Sequence, residues 1–159
     1  PYLNGERAPF YSPDARAGFF GISPHTTRAE LQRAVFEGLA FAIVDALQGY
    51  PQGGELYLTG GGAASATWLQ IIADCTGRTV VSSAFNELSA RGAAILAARS
   101  VAALAETPPL AQTRYQPRPQ AHARYAALYP VYRLLREQML PVWQARQAAL
   151  QPLSQDLQP

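Results

Sequence analysis

The length and composition of the chain indicate one soluble globular domain. Its 159 residues are 48% hydrophobic and 15% charged, with a formal net charge of +2, which is enough apolar content to bury a core without disulfides. No apolar run approaches the ~20 residues that a membrane-spanning helix needs, so no membrane partner is expected. The chain begins with Pro1 instead of Met and shows no signal-peptide pattern, so we expect a processed or excised piece of a cytoplasmic protein.

The charged residues limit the chemistry that the chain can perform. All thirteen basic residues are arginines, which excludes mechanisms that need a P-loop lysine or a lysine Schiff base. A bound phosphate must therefore be held by backbone N–H groups or by Arg. Residues 1–106 carry seven Arg and nine acidic residues, whereas residues 107–150 carry six Arg and one acidic residue. Because no single-strand-binding motif accompanies this basic tail, a solvated Arg face is favoured and no nucleic-acid partner is expected.

The first 23 residues are predicted to form a loop followed by a short strand. Residues 1–16 contain three prolines and a glycine, which is typical of an extended loop. Two interpretations of this loop stay open: a binding loop, or a surface segment whose aromatic rings pack on the core. The binding residues would be Arg7, Asp14 and Arg16, and the packed rings would be Tyr2, Phe10 and Tyr11. The apolar run at residues 17–23 is the strand candidate.

An amphipathic helix is predicted to begin after Thr27 and to end near Gly49. Thr27 and Glu30 have the spacing of a capping box, in which each side chain satisfies a free N–H group at the helix start. The apolar residues that follow recur every four positions and predict the stripe that faces the core. That stripe comprises Leu31, Val35, Leu39 and Ile43.

The most informative stretch, residues 55–74, joins a short strand to a helix through three glycines. Leu56 and Leu58 alternate as in a strand, and the apolar series from Trp68 to Cys75 has helical spacing, so that Cys75 is predicted to be a buried hydrophobe. Gly lets the backbone approach a ligand closely, and the N–H groups at a helix start favour an anion. Two interpretations follow: a turn that binds phosphate, or a tight turn in which glycine is present only because the backbone conformation requires it.

The remaining residues predict an α/β layer with a helical tail. Residues 77–84 read as a further strand, and a helix is predicted to start at Asn86 and to continue through the small residues 92–98. If the strands are parallel, ligands gather at their carboxyl edge. Residues 107–120 are predicted to be a proline-rich linker. Residues 121–150 are predicted to be a helical tail that packs on the domain, kinked at Pro130 and Pro141, and residues 151–159 a frayed terminus.

Three stretches together resemble the C-terminal half of the FGGY carbohydrate kinases, and most closely their xylulose kinase branch. The first contains Tyr2-Leu-Asn-Gly-Glu-Arg-Ala-Pro9 and Asp14-Ala-Arg16. The second contains Gly18-Phe-Phe-Gly-Ile22 and Arg33-Ala-Val-Phe-Glu-Gly-Leu-Ala-Phe41. The third contains Leu58-Thr-Gly-Gly-Gly-Ala-Ala-Ser65, Trp68-Leu-Gln-Ile-Ile-Ala-Asp74 and Gly92-Ala-Ala-Ile-Leu-Ala-Ala98.

The resemblance implies a partial actin-like ATPase domain, of the ribonuclease H-like class, over residues 1–106. The whole enzyme would transfer the γ-phosphate of ATP, with Mg²⁺, to a ketose such as D-xylulose. Gly60, Gly61 and Gly62 would lie against the nucleotide, and Ala63 and Ser65 would start the helix that borders the adenosine pocket. The family's catalytic base and sugar pocket precede Tyr2, so no catalytic residue or metal ligand is expected in this chain, which would be inactive alone.

Two alternatives to this interpretation stay open. The chain could be a non-catalytic half-kinase that binds a partner protein through its aromatic, basic tail, and nucleotide affinity would distinguish the two roles. Within the enzyme class, gluconate, glycerol or ribulose could replace xylulose, because the sugar would be bound mainly by the half that lies outside this chain. We also consider a homodimer.

Overall fold

The computed structural model describes residues 1–51, 53–83, 87–101 and 110–155, with side chains described up to residue 150. These ranges contain four α-helices and three β-strands. The chain divides into two compact units. The first, here called the helical unit, comprises Pro1–Tyr50 and Ala123–Pro159; the second, the sheet unit, comprises Pro51–His122.

Helix α1 (Arg28–Ala46) begins at the predicted capping box. The Glu30 carboxylate accepts a hydrogen bond from the Thr27 N–H at 2.7 Å, and the Glu30 N–H donates to the Thr27 hydroxyl at 3.3 Å. These bonds satisfy backbone donors that no helical carbonyl reaches. A 3₁₀ turn at Leu47–Gly49 follows α1, so the predicted end of the helix near Gly49 is confirmed.

Helix α4 (Pro119–Gln155) supplies the aromatic residues that pack on α1 in the helical unit. The Phe41 ring of α1 lies 5.9 Å from the Tyr125 ring and 5.3 Å from the Tyr132 ring, measured between centroids. The helix passes through Pro130 and Pro141 without a break in its assignment, and their kinks stay a prediction. Helix α4 also includes residues 151–155, which the sequence assigned to a frayed terminus; residues 156–159 lie outside the described residues.

The predicted apolar stripe of α1 is confirmed only in part, because Leu31 and Ile43 are half-buried and its two middle residues are exposed. Val35 is 48% exposed and Leu39 is 40% exposed. The buried residues of α1 are Ala40, Phe41 and Asp45. Asp45 explains the choice of face, because its carboxylate accepts a hydrogen bond from the Tyr129 hydroxyl at 2.8 Å and pairs with Arg136. A buried carboxylate without such partners costs more free energy than the exposure of a few apolar side chains, so the helix buries the face that carries Asp45.

The N-terminal segment packs through two of its three predicted aromatic rings. Tyr2 is buried, its ring lies 5.1 Å from Phe10 and 5.9 Å from Trp143, and its hydroxyl hydrogen-bonds the Tyr132 hydroxyl. Tyr11 is exposed, so the packing predicted for that ring is wrong. The interpretation as a packed surface segment therefore holds for Tyr2 and Phe10.

The strand predicted at residues 17–23 is also wrong. None of these residues is assigned to a strand, and Phe19, Phe20 and Ile22 are exposed. A strand needs a neighbour to satisfy its N–H and C=O groups, and no described strand pairs with this segment. The apolar run is therefore an irregular segment with a bend at Gly21, where φ is +79°.

The sheet unit contains a three-stranded sheet whose order is β1-β2-β3. Strands β1 (Leu56–Leu58) and β2 (Val80–Ser83) are parallel, whereas β3 (Gln112–Tyr115) is antiparallel to β2. The predicted strand-to-helix order around the glycines is therefore confirmed for β1 and the following helix. β3 lies within the stretch predicted as linker, of which residues 107–109 are outside the described residues.

Helices α2 (Ala66–Thr76) and α3 (Leu88–Val101) complete the sheet unit. The largest fully buried apolar side chains of the sheet unit lie on α2 and β2: Leu69, Ile71, Ile72, Val80 and Val81. Cys75 is buried as predicted. Asn86, the predicted start of α3, lies outside the described residues. Among the residues that the structure describes, no helix is long and apolar enough to cross a bilayer.

Candidate functional site

The glycine turn, here defined as Gly60 to Ser65, joins β1 to α2 at the carboxyl end of β1. Gly60 has φ +85° and ψ −173°, a backbone conformation that is open essentially to glycine alone. Residues Gly61–Ala64 then form one 3₁₀ turn, and Ser65 is the N-cap of α2. All five residues that the sequence singled out, Gly60, Gly61, Gly62, Ala63 and Ser65, therefore lie in one continuous turn.

The internal hydrogen bonds of the turn fix its shape. The Ala63 N–H donates to the Gly60 carbonyl at 3.0 Å, and the Ser65 N–H donates to the Gly62 carbonyl at 3.4 Å. The Ser65 hydroxyl accepts a hydrogen bond from the Trp68 N–H at 3.3 Å, as an N-cap side chain does. Ser65 is therefore the N-cap of α2, whereas Ala63 lies in the 3₁₀ turn before it, and the Ser65 hydroxyl can still donate a hydrogen bond.

Two backbone donors of the turn remain open. Within the described part of the chain, the N–H groups of Gly61 and Gly62 have no hydrogen-bond acceptor. Both glycines are exposed. These donors lie next to the N-terminal end of α2, where the helix dipole adds positive potential. Adjacent N–H groups in this setting are able to bind an anion such as a phosphate oxygen.

Gly61 distinguishes a ligand-binding turn from one in which glycine serves geometry alone. Gly60 needs its positive φ, and a Cβ added at Gly62 would lie 3.4 Å from the Trp68 indole nitrogen. Among the described residues, a Cβ at Gly61 would meet no heavy atom within 4 Å, and the φ of Gly61 is not in the left-handed region. None of the described residues requires glycine at this position, whereas close approach by a ligand would require it.

Sequence reasoning missed Ser82, which also contacts the turn. Ser82 lies on β2, is 6% exposed, and donates from its hydroxyl to the Ala63 carbonyl at 3.2 Å. The only sequence signal is a pair of serines that ends an otherwise β-branched strand. The contact depends on the parallel register that places Leu58 beside Ser82, and no local pattern predicts a register.

The other polar residues singled out by the sequence lie in a different unit from the glycine turn, which belongs to the sheet unit. Arg7, Asp14 and Arg16 belong to the helical unit, where the Arg16 guanidinium donates to the carbonyls of Pro13 and Ala15 at 2.9 and 2.7 Å. Among the described residues, no group of three or more His, Cys, Asp or Glu side chains could hold a metal ion. Mg²⁺ in kinase sites is usually held by one or two carboxylates together with the substrate phosphates, so the absence of a metal ligand from this chain stays a prediction.

A second group of contacts holds the C-terminal end of α2. The Asp74 carboxylate is fully buried and accepts hydrogen bonds from the Arg118 N–H at 2.8 Å, from the Arg118 guanidinium at 2.5 and 3.0 Å, and from the Gln70 amide at 3.0 Å. Burial alone would raise the pKa of Asp74, but these donors outweigh it and the pKa lies below its ordinary value of 3.8. Asp74 is a structural anchor of α2.

Comparison with known proteins identifies the chain's relatives. Residues 1–101 match the FGGY family of carbohydrate kinases, C-terminal domain. The chain is 35% identical over 153 residues to the xylulose kinase of Escherichia coli (strain K12). The matched region covers 89% of this chain and 31% of that kinase. It is 36% identical over 155 residues to the erythritol kinase of Brucella abortus (strain 2308), covering 90% of the chain and 30% of the relative.

Solved structures give the same result. The gluconate kinase of Lactobacillus acidophilus superposes with a TM-score of 0.79 at 26% identity, over 91% of this chain and 31% of that one. The chain thus spans about 30% of the length of the relatives that it matches. A match to the family over more than half of the chain, with curated relatives above 30% identity, leads to one conclusion: this chain belongs to the FGGY family of carbohydrate kinases and corresponds to their C-terminal domain.

Proposed function

We propose that this chain is the ATP-binding portion of a sugar kinase that transfers the γ-phosphate of ATP to a ketose such as D-xylulose. The glycine turn would lie against the phosphates, and the N-terminal end of α2 would border the adenosine. We further propose that the sheet unit is part of an actin-like ATPase fold of the ribonuclease H-like class. The cytoplasm stays the predicted location.

Gly61 is the observation that supports nucleotide binding most directly. It combines an ordinary φ, open space around its Cα and an N–H group without an acceptor among the described residues. Phosphoryl transfer depends mainly on positioning and on neutralising charge. Backbone N–H groups can do both without Lys, and the chain contains no Lys. The residues of this chain would therefore hold and orient the phosphates while other parts of the enzyme supply the sugar site.

Exposed apolar side chains support a place within a larger enzyme. In the helical unit these side chains lie on α1 and on the unpaired N-terminal segment: Phe19, Phe20, Ile22, Val35, Phe36 and Leu39. Such a group of exposed apolar residues marks an interface more often than a free surface. In the described sheet, β1 is an edge strand, which leaves room for further pairing.

The substrate is proposed as a ketose because xylulose kinases predominate among the relatives with the strongest matches. Relatives named erythritol kinase, glycerol kinase and gluconate kinase also match, so gluconate and glycerol are the alternatives, with ribulose as a third. The sugar would be bound mainly outside this chain. A substrate screen therefore needs the whole kinase.

Substitution of Gly61 tests the proposal. Gly61→Ala is expected to fold normally, because the new methyl group meets no atom of the described residues and the φ of Gly61 is one that alanine readily adopts. The methyl group would instead obstruct the phosphates and raise the Kd for ADP about tenfold, which corresponds to about 1.4 kcal/mol. Isothermal titration calorimetry with ADP measures the change.

Gly49→Ala is the matched control for this measurement. Gly49 also lies in a 3₁₀ turn, has no positive φ and has open space where a Cβ would stand, but it belongs to the helical unit. Its substitution is expected to leave the Kd unchanged. Equal affinities for wild type, Gly61→Ala and Gly49→Ala would remove the assignment of the glycine turn to the phosphates.

The 159-residue chain alone is expected to show no kinase turnover. The resemblance assigns the catalytic base and sugar pocket to sequence that precedes Tyr2 in the family, and no acidic residue of this chain matches that base. A coupled assay for ADP release, with D-xylulose, gluconate, glycerol and ribulose in turn, checks this expectation. Sugar-dependent ATP consumption by the pure chain would contradict it.

The alternative is a non-catalytic half-kinase that acts as an interaction module. A scaffold of this kind has no need of open N–H donors in a glycine turn. Absence of ADP binding by a folded chain would therefore favour the module over the enzyme.

A further inference from the structure

We propose that Ser82 is a positioning residue that holds the glycine turn in its phosphate-binding shape. This inference rests on the proposed nucleotide site and adds a residue to it. Ser82 itself would not touch the nucleotide, because its side chain is buried and its hydroxyl is directed to the Ala63 carbonyl.

The position of Ser82 follows from the sheet. β1 and β2 are parallel, and Leu58 is the Cα partner of Ser82. The chain leaves β1 after Leu58 and returns over the end of β2 in the glycine turn. Ser82 therefore reaches the turn from the neighbouring strand, through one hydrogen bond of 3.2 Å. β2 is the central strand of the described sheet, so it is hydrogen-bonded to a neighbouring strand on both sides.

The contact matters because Ala63 is bound at both of its backbone groups. Its N–H donates to the Gly60 carbonyl at 3.0 Å, and its carbonyl accepts from Ser82. Because each peptide unit is planar, the bond from Ser82 orients the Ala63–Ala64 unit and the bond to Gly60 orients the preceding Gly62–Ala63 unit. With Ala63 held in this way, the carbonyl of Ala63 points to the sheet, and the turn stays formed with the open N–H groups of Gly61 and Gly62 available to a phosphate. Without Ser82 the turn can relax before the ligand arrives, and binding must then order it.

The test compares phosphate-dependent affinity with affinity for the nucleoside. In Ser82→Ala, the Kd for ADP is expected to rise five- to tenfold, while the Kd for adenosine changes less than twofold, because only the phosphates meet the turn. General damage to the fold would instead raise the Kd values for ADP and for adenosine by similar factors. Ser82→Thr keeps the hydroxyl and is expected to keep the ratio of the two Kd values near that of wild type.

Ser100→Ala is the matched control, because Ser100 also donates its hydroxyl to a backbone carbonyl, that of Ala97 at 2.7 Å, in a helix away from the turn. It is expected to leave both Kd values unchanged. If Ser82→Ala does not fold, Ser82→Cys replaces it, since a thiol of similar size is a weak donor. An unchanged ADP-to-adenosine ratio in the folded Ala or Cys variant overturns the role of Ser82. Wild-type protein that binds no ADP would overturn the proposed nucleotide binding as well. The failure of the Ser82 role and the failure of the proposed function therefore give different results.

Discussion

Replacing Asp74 with alanine is expected to destabilise the sheet unit by about 3 kcal/mol. Breaking a buried ion pair costs roughly 3–5 kcal/mol, and the lower end applies because the Arg118 side chain is 60% exposed and can be solvated when its partner is lost. The variant also loses the bond that the Arg118 N–H makes to the carboxylate, which fixes the chain just before α4. Urea denaturation measures the loss.

The helical and sheet units each contain one tryptophan, Trp143 and Trp68. A Trp143→Phe background therefore makes fluorescence report on the sheet unit alone. Glu55→Ala is the control in the same unit, since Glu55 pairs with Arg114 at 3.0 Å on the surface, where ion pairs contribute little. If Asp74→Ala and Glu55→Ala lowered the free energy of unfolding equally, burial would not explain the contribution of the Asp74–Arg118 pair to stability.

The same pair predicts how stability depends on pH. The pKa of Asp74 is lowered in the folded chain, from 3.8. Its contribution is therefore fully present above about pH 4 and is lost as the pH falls through the lower, folded value. The stability difference between wild type and Asp74→Asn is expected to be constant near neutral pH and to narrow below pH 4. A difference that widens in acid would contradict this sign.

Replacing Gly77 with alanine is the second substitution with a large expected effect, about 3 kcal/mol. Gly77 is the left-handed C-cap of α2, with φ +67°, and a side chain in that conformation costs roughly 1–2 kcal/mol. The new Cβ would also stand 2.6 Å from the His122 ring. That ring cannot move away freely, because its Nδ1 hydrogen-bonds the Asp74 carbonyl at 2.9 Å.

Gly54→Ala separates the two causes in the same unit. Gly54 has a similar φ of +73°, but its Cβ would meet only the Arg78 guanidinium at 3.7 Å. Gly54→Ala is thus expected to show the conformational cost without the steric cost. In a His122→Ala background, Gly77→Ala should cost no more than Gly54→Ala. If Gly77→Ala were no more damaging than Gly54→Ala in the wild-type background, the contact with His122 would not constrain the cap.

Features that depend on neighbouring residues could be predicted from the sequence. Thr27 and Glu30 are three positions apart, so the start of α1 follows from local chemistry. The strand, the three glycines and α2 likewise follow from periodicity and from the need of Gly60 for a positive φ. All five predicted site residues therefore lie in one turn between β1 and α2, and their contact with a nucleotide stays a prediction.

Features that depend on distant partners could not be predicted in this way. The buried face of α1 is chosen by Asp45, whose partners Tyr129 and Arg136 lie more than eighty residues away along the chain. β3 forms within a proline-rich stretch because its residues pair with β2, and Arg114 reaches Glu55 from it. The Ser82 contact similarly requires the register of two strands. Periodicity carries no information on such pairings.

The central claim is that the glycine turn binds the phosphates of a nucleotide. Titration of ¹⁵N-labelled chain with ADP, followed by amide chemical shifts, tests it most directly. Saturable shifts that are largest at Gly61 and Gly62, and much weaker with adenosine, are the predicted result. Saturable shifts confined to other residues, or no saturable shift at the turn of a folded chain, would contradict it.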